Sequence, residues 1–438
     1  MPKSVGPELA RIPTDFVRYH HGVRLPPRPN GSWIVRMILV TALVGIGGGL
    51  SGLVVAIGLH LIEHFAYGYT SGTFLDGLLG SDPFRRVIAL TIAGIIGGIG
   101  WWALRRWAKP VVSAEEAVQG NAMPAFATLA NSALQITIVG LGASIGREVA
   151  PRELGALLAG WITDKAGVTA RERRVLIACG AGAGLAAVYN VPLGGALFAV
   201  EILLGELRFS TALPALGSSA IATLVGRLVV PATPLYHLPQ FALSPSLLVW
   251  SIVAGPFIGF AALAFVWLIR FAADHRPVGW KILIVMPLVF VGIGGIALAF
   301  PAILGNGRSL GQTAFDGTTP LALIAALLLL KVIATAATIG SGAAGGTLTP
   351  SVAIGAAFGA AAGGLWVSFW PGTAVAAFAF VAAAAFLAST LRAPFTALVL
   401  LIEFTNQGAT LLVPAMLAIA GSVAVNYLSG RRRLTGTA

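Results

Sequence analysis

Charge is scarce in this chain. Only 10% of its 438 residues are Asp, Glu, Lys or Arg, where a soluble domain carries about 25%, so a water-facing surface around a single core is excluded. Cysteine is almost missing. The single Cys179 sits in an apolar Gly/Ala run, which excludes a disulfide framework and a thiolate metal cluster. Histidine is sparse too: of His20, His21, His60, His64, His237 and His275, only His60 and His64 stand at i,i+4, without further matched ligands. No metal site is expected, and no cofactor is implied. Acids are outnumbered, 16 Asp and Glu against 28 Lys and Arg, for a net charge of +12. The bases gather at the ends and in loops. Lys3, Arg11, Arg18, Arg24, Arg28 and Arg36 precede or open the first apolar run, and Arg431, Arg432 and Arg433 follow the last. That distribution is a topology signal, not a nucleic-acid surface, and the positive-inside rule puts both ends in the cytoplasm. No cleavable signal peptide is expected, because the basic, Pro-rich segment before Trp33 is too long for an n-region.

What the chain has in abundance is hydrophobicity, 57% of residues at a mean hydropathy of +0.88. The apolar runs have the length that crosses roughly 30 Å of hydrocarbon. They predict an all-α polytopic membrane protein whose partner is the lipid bilayer, multi-pass in the cell membrane. Spans are expected at about 34–62, 86–104, 125–141, 176–204 and 211–230, then at about 247–272, 281–304, 320–339, 351–370, 373–390, 394–405 and 411–429. This divides the chain into a basic tail (1–32), a first membrane repeat (33–230), a linker (231–246) carrying Pro231, Pro234, Pro239 and Pro245, a second repeat (247–429) and a short tail (430–438). The 55 glycines suit close helix–helix contact in lipid.

One stretch breaks the apolar pattern. Gly140-Leu-Gly-Ala-Ser-Ile-Gly-Arg-Glu-Val-Ala-Pro-Arg-Glu-Leu-Gly155 places Arg147, Glu148, Arg152 and Glu153 between hydrophobic runs. An ionisable group at membrane depth costs several kcal/mol, so it marks a functional site by default. Pro151 suits the first turn of a helix because its missing N–H has no partner to lose. The N–H groups around Gly146, Arg147, Glu148 and Val149 then face whatever sits before that helix, and the dipole favours an anion there. Glu148 is a carboxylate tethered beside an anion site. Arg152 and Glu153 read as a structural pair.

The two halves repeat each other. Ala187-Val-Tyr-Asn-Val-Pro-Leu-Gly-Gly-Ala-Leu-Phe-Ala-Val-Glu201 matches Ser389-Thr-Leu-Arg-Ala-Pro-Phe-Thr-Ala-Leu-Val-Leu-Leu-Ile-Glu403, with proline and glutamate nine apart in each. Gly146-Arg-Glu-Val-Ala-Pro151 echoes Gly345-Gly-Thr-Leu-Thr-Pro350. Helix starts at Pro151, Pro192, Pro350 and Pro394 thus interrupt apolar runs in corresponding places. Paired broken segments in two halves point to an ion site near the bilayer midplane. The recurrence of Glu201 and Glu403 argues for a structural role such as accepting loop N–H groups, with Glu201 also a candidate proton carrier.

Here the sequence resembles a known family. Gly146-Arg-Glu-Val-Ala-Pro151 is similar to the G-R-E-G-P motif of the CLC chloride channels and chloride/proton exchangers. Gly340-Ser-Gly-Ala-Ala-Gly-Gly-Thr-Leu-Thr-Pro350 resembles their G-S-G-x-x-G-G-x-F-x-P segment, and Tyr189-Asn-Val-Pro-Leu-Gly-Gly-Ala-Leu-Phe-Ala-Val-Glu201 their F-N-A-P-L-A-G-x-L-F-x-x-E helix. The resemblance implies two inverted-topology repeats with broken helices, a homodimer, and a chloride pathway in each subunit. It also implies a gate at Glu148 and anion contacts from Gly146–Val149 and from Gly346, Thr347 and Leu348.

The departures are equally specific. The family's G-S-G-I-P falls around Pro110-Val-Val-Ser-Ala114, so that either Val111 or Ser113 takes the anion-binding serine's position. Leu348 stands for a phenylalanine, Thr435 falls near the closing tyrosine, and Ile202 replaces an exchanger's inner glutamate. A backbone-amide site is retained while its side chains are replaced. Transport of chloride or a similar small inorganic anion is therefore expected, with a secondary carrier for a different anion, proton-coupled or not, as the alternative. An enzyme is not expected, because the apolar spans offer no nucleophile–base pair and no metal set.

Overall fold

A computed structural model describes the backbone of residues 31–435 and the side chains of residues 31–429. Among the described residues the chain is helical, and its one β-type pairing is an isolated bridge. The first half contains α1 (Gly31–Tyr67), α2 (Phe74–Gly80), α3 (Pro83–Trp107), α4 (Ala114–Val118), α5 (Ala125–Gly140), α6 (Val149–Ala166), α7 (Ala170–Tyr189), α8 (Pro192–Leu197) and α9 (Phe209–Gly226). The second contains α10 (Pro245–Asp274), α11 (Ile282–Ala299), α12 (Arg308–Asp316), α13 (Leu321–Gly340), α14 (Leu348–Val367), α15 (Val375–Leu391), α16 (Pro394–Thr405) and α17 (Leu412–Thr435). Eight of these are long and apolar enough to cross a membrane. α2 and α12 were not expected: each is too short to span, and α12 is polar at one face, so neither leaves a hydropathy signal.

The two repeats are inverted and share their local geometry. α7 and α15 are the buried centres of their halves. Every residue from Val175 to Tyr189 and from Ala376 to Ser389 is buried, as expected of helices that are apolar all round. Both end on a non-glycine residue in the left-handed region, Asn190 at φ 57° and Arg392 at φ 56°. The chain then restarts at Pro192 and Pro394, each at a first helical position. The turns before α6 and α14 also correspond: Gly142 and Gly342 both take φ 102°, a conformation in which a Cβ is strained. The helices approach closely. A Cβ on Gly155 of α6 would overlap the carbonyl oxygen of Gly180 on α7, so these backbones meet directly. The segment between the halves is not loose, since Tyr236 N–H donates to the Phe404 carbonyl at 2.9 Å and His237 exchanges two hydrogen bonds with Gln312.

A reciprocal clasp joins the halves. The Glu403 carboxylate accepts from Leu193 N at 3.0 Å and Gly194 N at 2.7 Å, the free donors that open α8. The Glu201 carboxylate accepts from Phe395 N at 3.2 Å, Thr396 N at 2.6 Å and Thr396 Oγ1 at 2.5 Å, at the start of α16. Each glutamate caps the other repeat's broken helix, whose first N–H groups have no partner of their own. Glu201 lies on a π-helical turn, Phe198–Leu204, that continues α8. Glu403→Ala strands two donors where lipid and protein offer no replacement, at about 1–3 kcal/mol each. Thermal unfolding in detergent should therefore shift clearly downward, and less so for Glu403→Gln, which keeps one acceptor oxygen. An unchanged midpoint for Glu403→Ala would mean that water fills the gap and the clasp carries no stability.

Candidate functional site

The bridge sits where the two broken segments meet. Gly146 N donates to Gly346 O at 2.7 Å and Gly346 N returns the bond to Gly146 O at 3.1 Å. The pairing is antiparallel, so the chain enters α6 and α14 from opposite directions and the two helix starts face one region. Sequence reading brought Gly146 and Gly346 into one site, and the structure joins them directly.

Glu148 is the N-cap residue of α6 but makes no capping bond to its own helix. Its carboxylate crosses to the other repeat. Leu348 N donates to Oε1 at 2.6 Å and Thr349 Oγ1 donates to Oε2 at 3.1 Å. The side chain is 1% exposed. Among the described residues it has no cation within ion-pair distance. What offsets its charge is the N-terminus of α14, through a backbone N–H, an O–H and the helix dipole. An anion bound here would use these same donors.

Neighbouring side chains complete the surround. Tyr189, at the end of α7, places its hydroxyl 2.9 Å from Thr349 Oγ1. The Arg147 guanidinium lies over the Tyr189 ring, 5.0 Å from its centroid, an arrangement the ring quadrupole favours. Arg147 Nε is buried without a hydrogen-bond partner. Arg147 therefore supplies positive potential near the carboxylate without pairing with it. Val149, the first residue of α6, is half-buried, and Thr347 caps α14 through its carbonyl, which accepts from Ser351 N at 2.8 Å.

Other expected residues lie apart. Ser113 is the N-cap of α4, its hydroxyl oxygen accepting from Glu116 N at 3.2 Å while Ser113 N donates to the Glu116 carboxylate at 2.8 Å. The cap leaves the Ser113 hydroxyl proton unused. Val111 packs half-buried against the core. Thr435 ends α17, and its side chain lies outside the described residues. Glu201 is in the clasp, with Ile202 half-buried beside it.

One expectation is corrected. Arg152 and Glu153 do not pair with each other. Adjacent positions on a helix diverge by about 100°, so Arg152 reaches Glu115 at 3.9 Å and lies 4.8 Å over the Phe198 ring. Glu153 instead accepts from Asn131 Nδ2 at 3.0 Å.

Two residues escaped sequence reading. Thr349 occupies a variable position of the G-x-F-x-P-like segment, and Tyr189 stands where the resemblance has phenylalanine. The added hydroxyl on Tyr189 was visible in the sequence, but its target was not, because Thr349 lies 160 residues away.

Comparison with known proteins gives a consistent picture. A family model described as "voltage gated chloride channel" matches residues 93–427. The voltage-gated ClC-type chloride channel ClcB of Citrobacter koseri is 30% identical over 390 residues, covering 85% of this chain and 91% of that protein. ClcB of Escherichia coli O9:H4 is 30% identical over 391 residues, with the same 85% and 91% covered. Among solved structures, a slow cyanobacterial Cl−/H+ antiporter matches with a TM-score of 0.77 at 21% identity, covering 91% of this chain and 98% of that one. A CLC-type fluoride/proton antiporter matches at 0.68 with 19% identity, covering 91% and 96%. At such identities the structural matches establish a shared fold.

Proposed function

The chain belongs to the voltage-gated chloride channel family, and on that premise we propose that it carries chloride or a similar small inorganic anion across the membrane through a pathway within each subunit, gated by Glu148. The observation that supports this is the seat of the Glu148 carboxylate on Leu348 N–H at the start of α14. A carboxylate held by donors, with no paired cation, occupies the ground an inorganic anion would take. The proposed anion contacts are Gly146, Arg147, Glu148 and Val149 with Gly346, Thr347 and Leu348, to which Thr349 is added. On the family resemblance alone, Val111 or Ser113 and Thr435 are added as further candidate contacts; the α4 cap leaves the Ser113 hydroxyl proton available to donate. The decisive experiment measures radiolabelled chloride uptake into proteoliposomes in competition with fluoride, nitrate and small carboxylates. Preferential uptake of a carboxylate would move the reading to a carrier for organic anions.

Proton coupling is a separate matter. A proton path through hydrocarbon needs titratable groups or waters at successive points. Ile202 offers none, and the Glu201 oxygens are occupied at the start of α16. An imposed chloride gradient should accordingly fail to drive proton uptake. Robust uphill proton movement would assign the task to Glu201 or to water.

The assembly we propose is a homodimer, multi-pass in the cell membrane with both termini cytoplasmic. Its proposed contact face is apolar and spans the clasp helices α8 and α16 together with α9 and α17. Leu193 on α8, Leu213 on α9, Phe395 on α16 and Met416 on α17 are each more than half exposed. An exposed apolar face of this kind is covered by lipid or by a second copy.

A further inference from the structure

Resting on the gate reading, we propose that Tyr189 and Thr349 are positioning residues that latch Glu148 in the closed state through a one-way hydroxyl relay, and that this relay sets how far transport depends on pH.

The direction of the relay follows from proton counting. An ionised carboxylate only accepts, so the single Thr349 hydroxyl proton is committed to Glu148 Oε2 at 3.1 Å. The contact between Tyr189 and Thr349 at 2.9 Å must then run from the phenol to the threonine oxygen. Both protons point toward the charge. Each bond in such a chain polarises the next, and the last one is charge-assisted. Arg147 over the Tyr189 ring adds positive potential at the phenol end, which favours the O–H as a donor. The relay is dry: Glu148, Thr349 and Tyr189 are 1%, 0% and 4% exposed.

Packing fixes the donor in place. The Tyr189 ring meets Phe404 of α16 edge-on, with centroids 5.5 Å apart. Phe404 also packs against Tyr236, and its carbonyl accepts from Tyr236 N. The latch thus joins α7 of one repeat to α14 and α16 of the other. Charged and titratable groups around the carboxylate are Arg147 on its own loop, Tyr189 at the end of α7 and Tyr236 between the halves. Arg308 of α12 and His60 and Glu63 of α1 face Arg147 in turn. None of these donates a hydrogen bond to Glu148, so among the described residues the hydroxyl relay is its one side-chain hold.

Protonation undoes the latch in a definite way. Once Glu148 carries a proton, the Thr349 bond becomes neutral and loses roughly half its strength, and the side chain can leave its seat. Removing the relay chemically should imitate part of that release while the carboxylate remains ionised.

The test is chloride efflux from proteoliposomes, from acid to neutral pH, for the wild type, Thr349→Val, Tyr189→Phe and Thr349→Ser, each also combined with Glu148→Gln. Thr349→Val should raise neutral-pH efflux about ten-fold and flatten the acid activation. Tyr189→Phe should shift both in the same direction by a smaller factor. Thr349→Ser, which keeps the hydroxyl, should restore the wild-type profile. In the Glu148→Gln background Tyr189→Phe, which leaves every proposed anion contact in place, should change efflux less than about two-fold, because the charge that the relay serves is gone. Tyr189→Phe keeps the ring and its contact with Phe404, so it stays informative if Thr349→Val does not fold. Wild-type profiles for Thr349→Val and Tyr189→Phe, alongside a pH-independent Glu148→Gln, would overturn the relay and leave the gate standing. Unchanged pH dependence in Glu148→Gln itself would remove the gate, and the relay with it.

Discussion

Glu148→Gln is expected to transport anions faster than the wild type at neutral pH and to lose activation by acid. The carboxylate is seated on donors from the second repeat, Leu348 N–H and the Thr349 hydroxyl. Hydrogen bonds to a charged group are worth about 1.5–3 kcal/mol each. An arriving anion must displace that hold and also face the repulsion of a like charge in a buried site. Removing the charge takes away both barriers. Ten-fold or greater gains at neutral pH are in scale, since each 1.4 kcal/mol is about one factor of ten. In the wild type, protonation does transiently what the substitution does permanently, so efflux should rise as pH falls. Glu148→Ala should behave as Glu148→Gln does and bind anions more tightly in equilibrium titration. Conduction requires binding weak enough for release, and a tethered competitor provides that weakness. Proteoliposome efflux across a pH series, with calorimetric anion titration, checks both parts. Wild-type pH dependence in either variant would reduce Glu148 to a structural acid.

Gly346→Val is expected to abolish anion flux while leaving a folded protein in detergent. Gly346 pairs with Gly146 through both backbone bonds, and its φ lies outside the left-handed region, so valine is not excluded by backbone strain. The obstruction is spatial. A Cβ at this position would overlap the Glu148 carboxylate, which puts valine's bulk in the seat itself. The double variant Gly346→Val/Glu148→Ala separates block from displacement. If valine merely evicted the carboxylate, flux would survive in both variants; if it fills the anion's place, both are silent. Silence in both is the expected result. Unaltered flux in Gly346→Val, with size-exclusion behaviour like wild type, would take this segment out of the pathway.

By itself the sequence determined the membrane class, the eight long apolar helices and the internal repeat, because each depends on local composition or short spacing. Four of the expected spans, at 125–141, 176–204, 373–390 and 394–405, are shorter or broken helices. Sparse charge and long apolar runs suffice for a polytopic bundle. The proline–glutamate spacing shared by Pro192/Glu201 and Pro394/Glu403 exposed the repeat, and the position of Glu148 between Gly146 and Pro151 marked an acid at a helix start. The family followed from three motifs in order. Only the tertiary structure decided which helix start each acid serves. Read locally, Glu148 belongs to α6, yet its carboxylate sits on α14, and Glu201 and Glu403 likewise cap helices of the opposite repeat. It also decided that Arg152 pairs with Glu115 and not with its neighbour, and that Tyr189 meets Thr349. The physical reason is common to Glu148, Glu201 and Glu403. A buried acid takes whichever free N–H or O–H groups folding brings within about 3 Å, and in an inverted repeat the nearest free donors come from the other half of the chain.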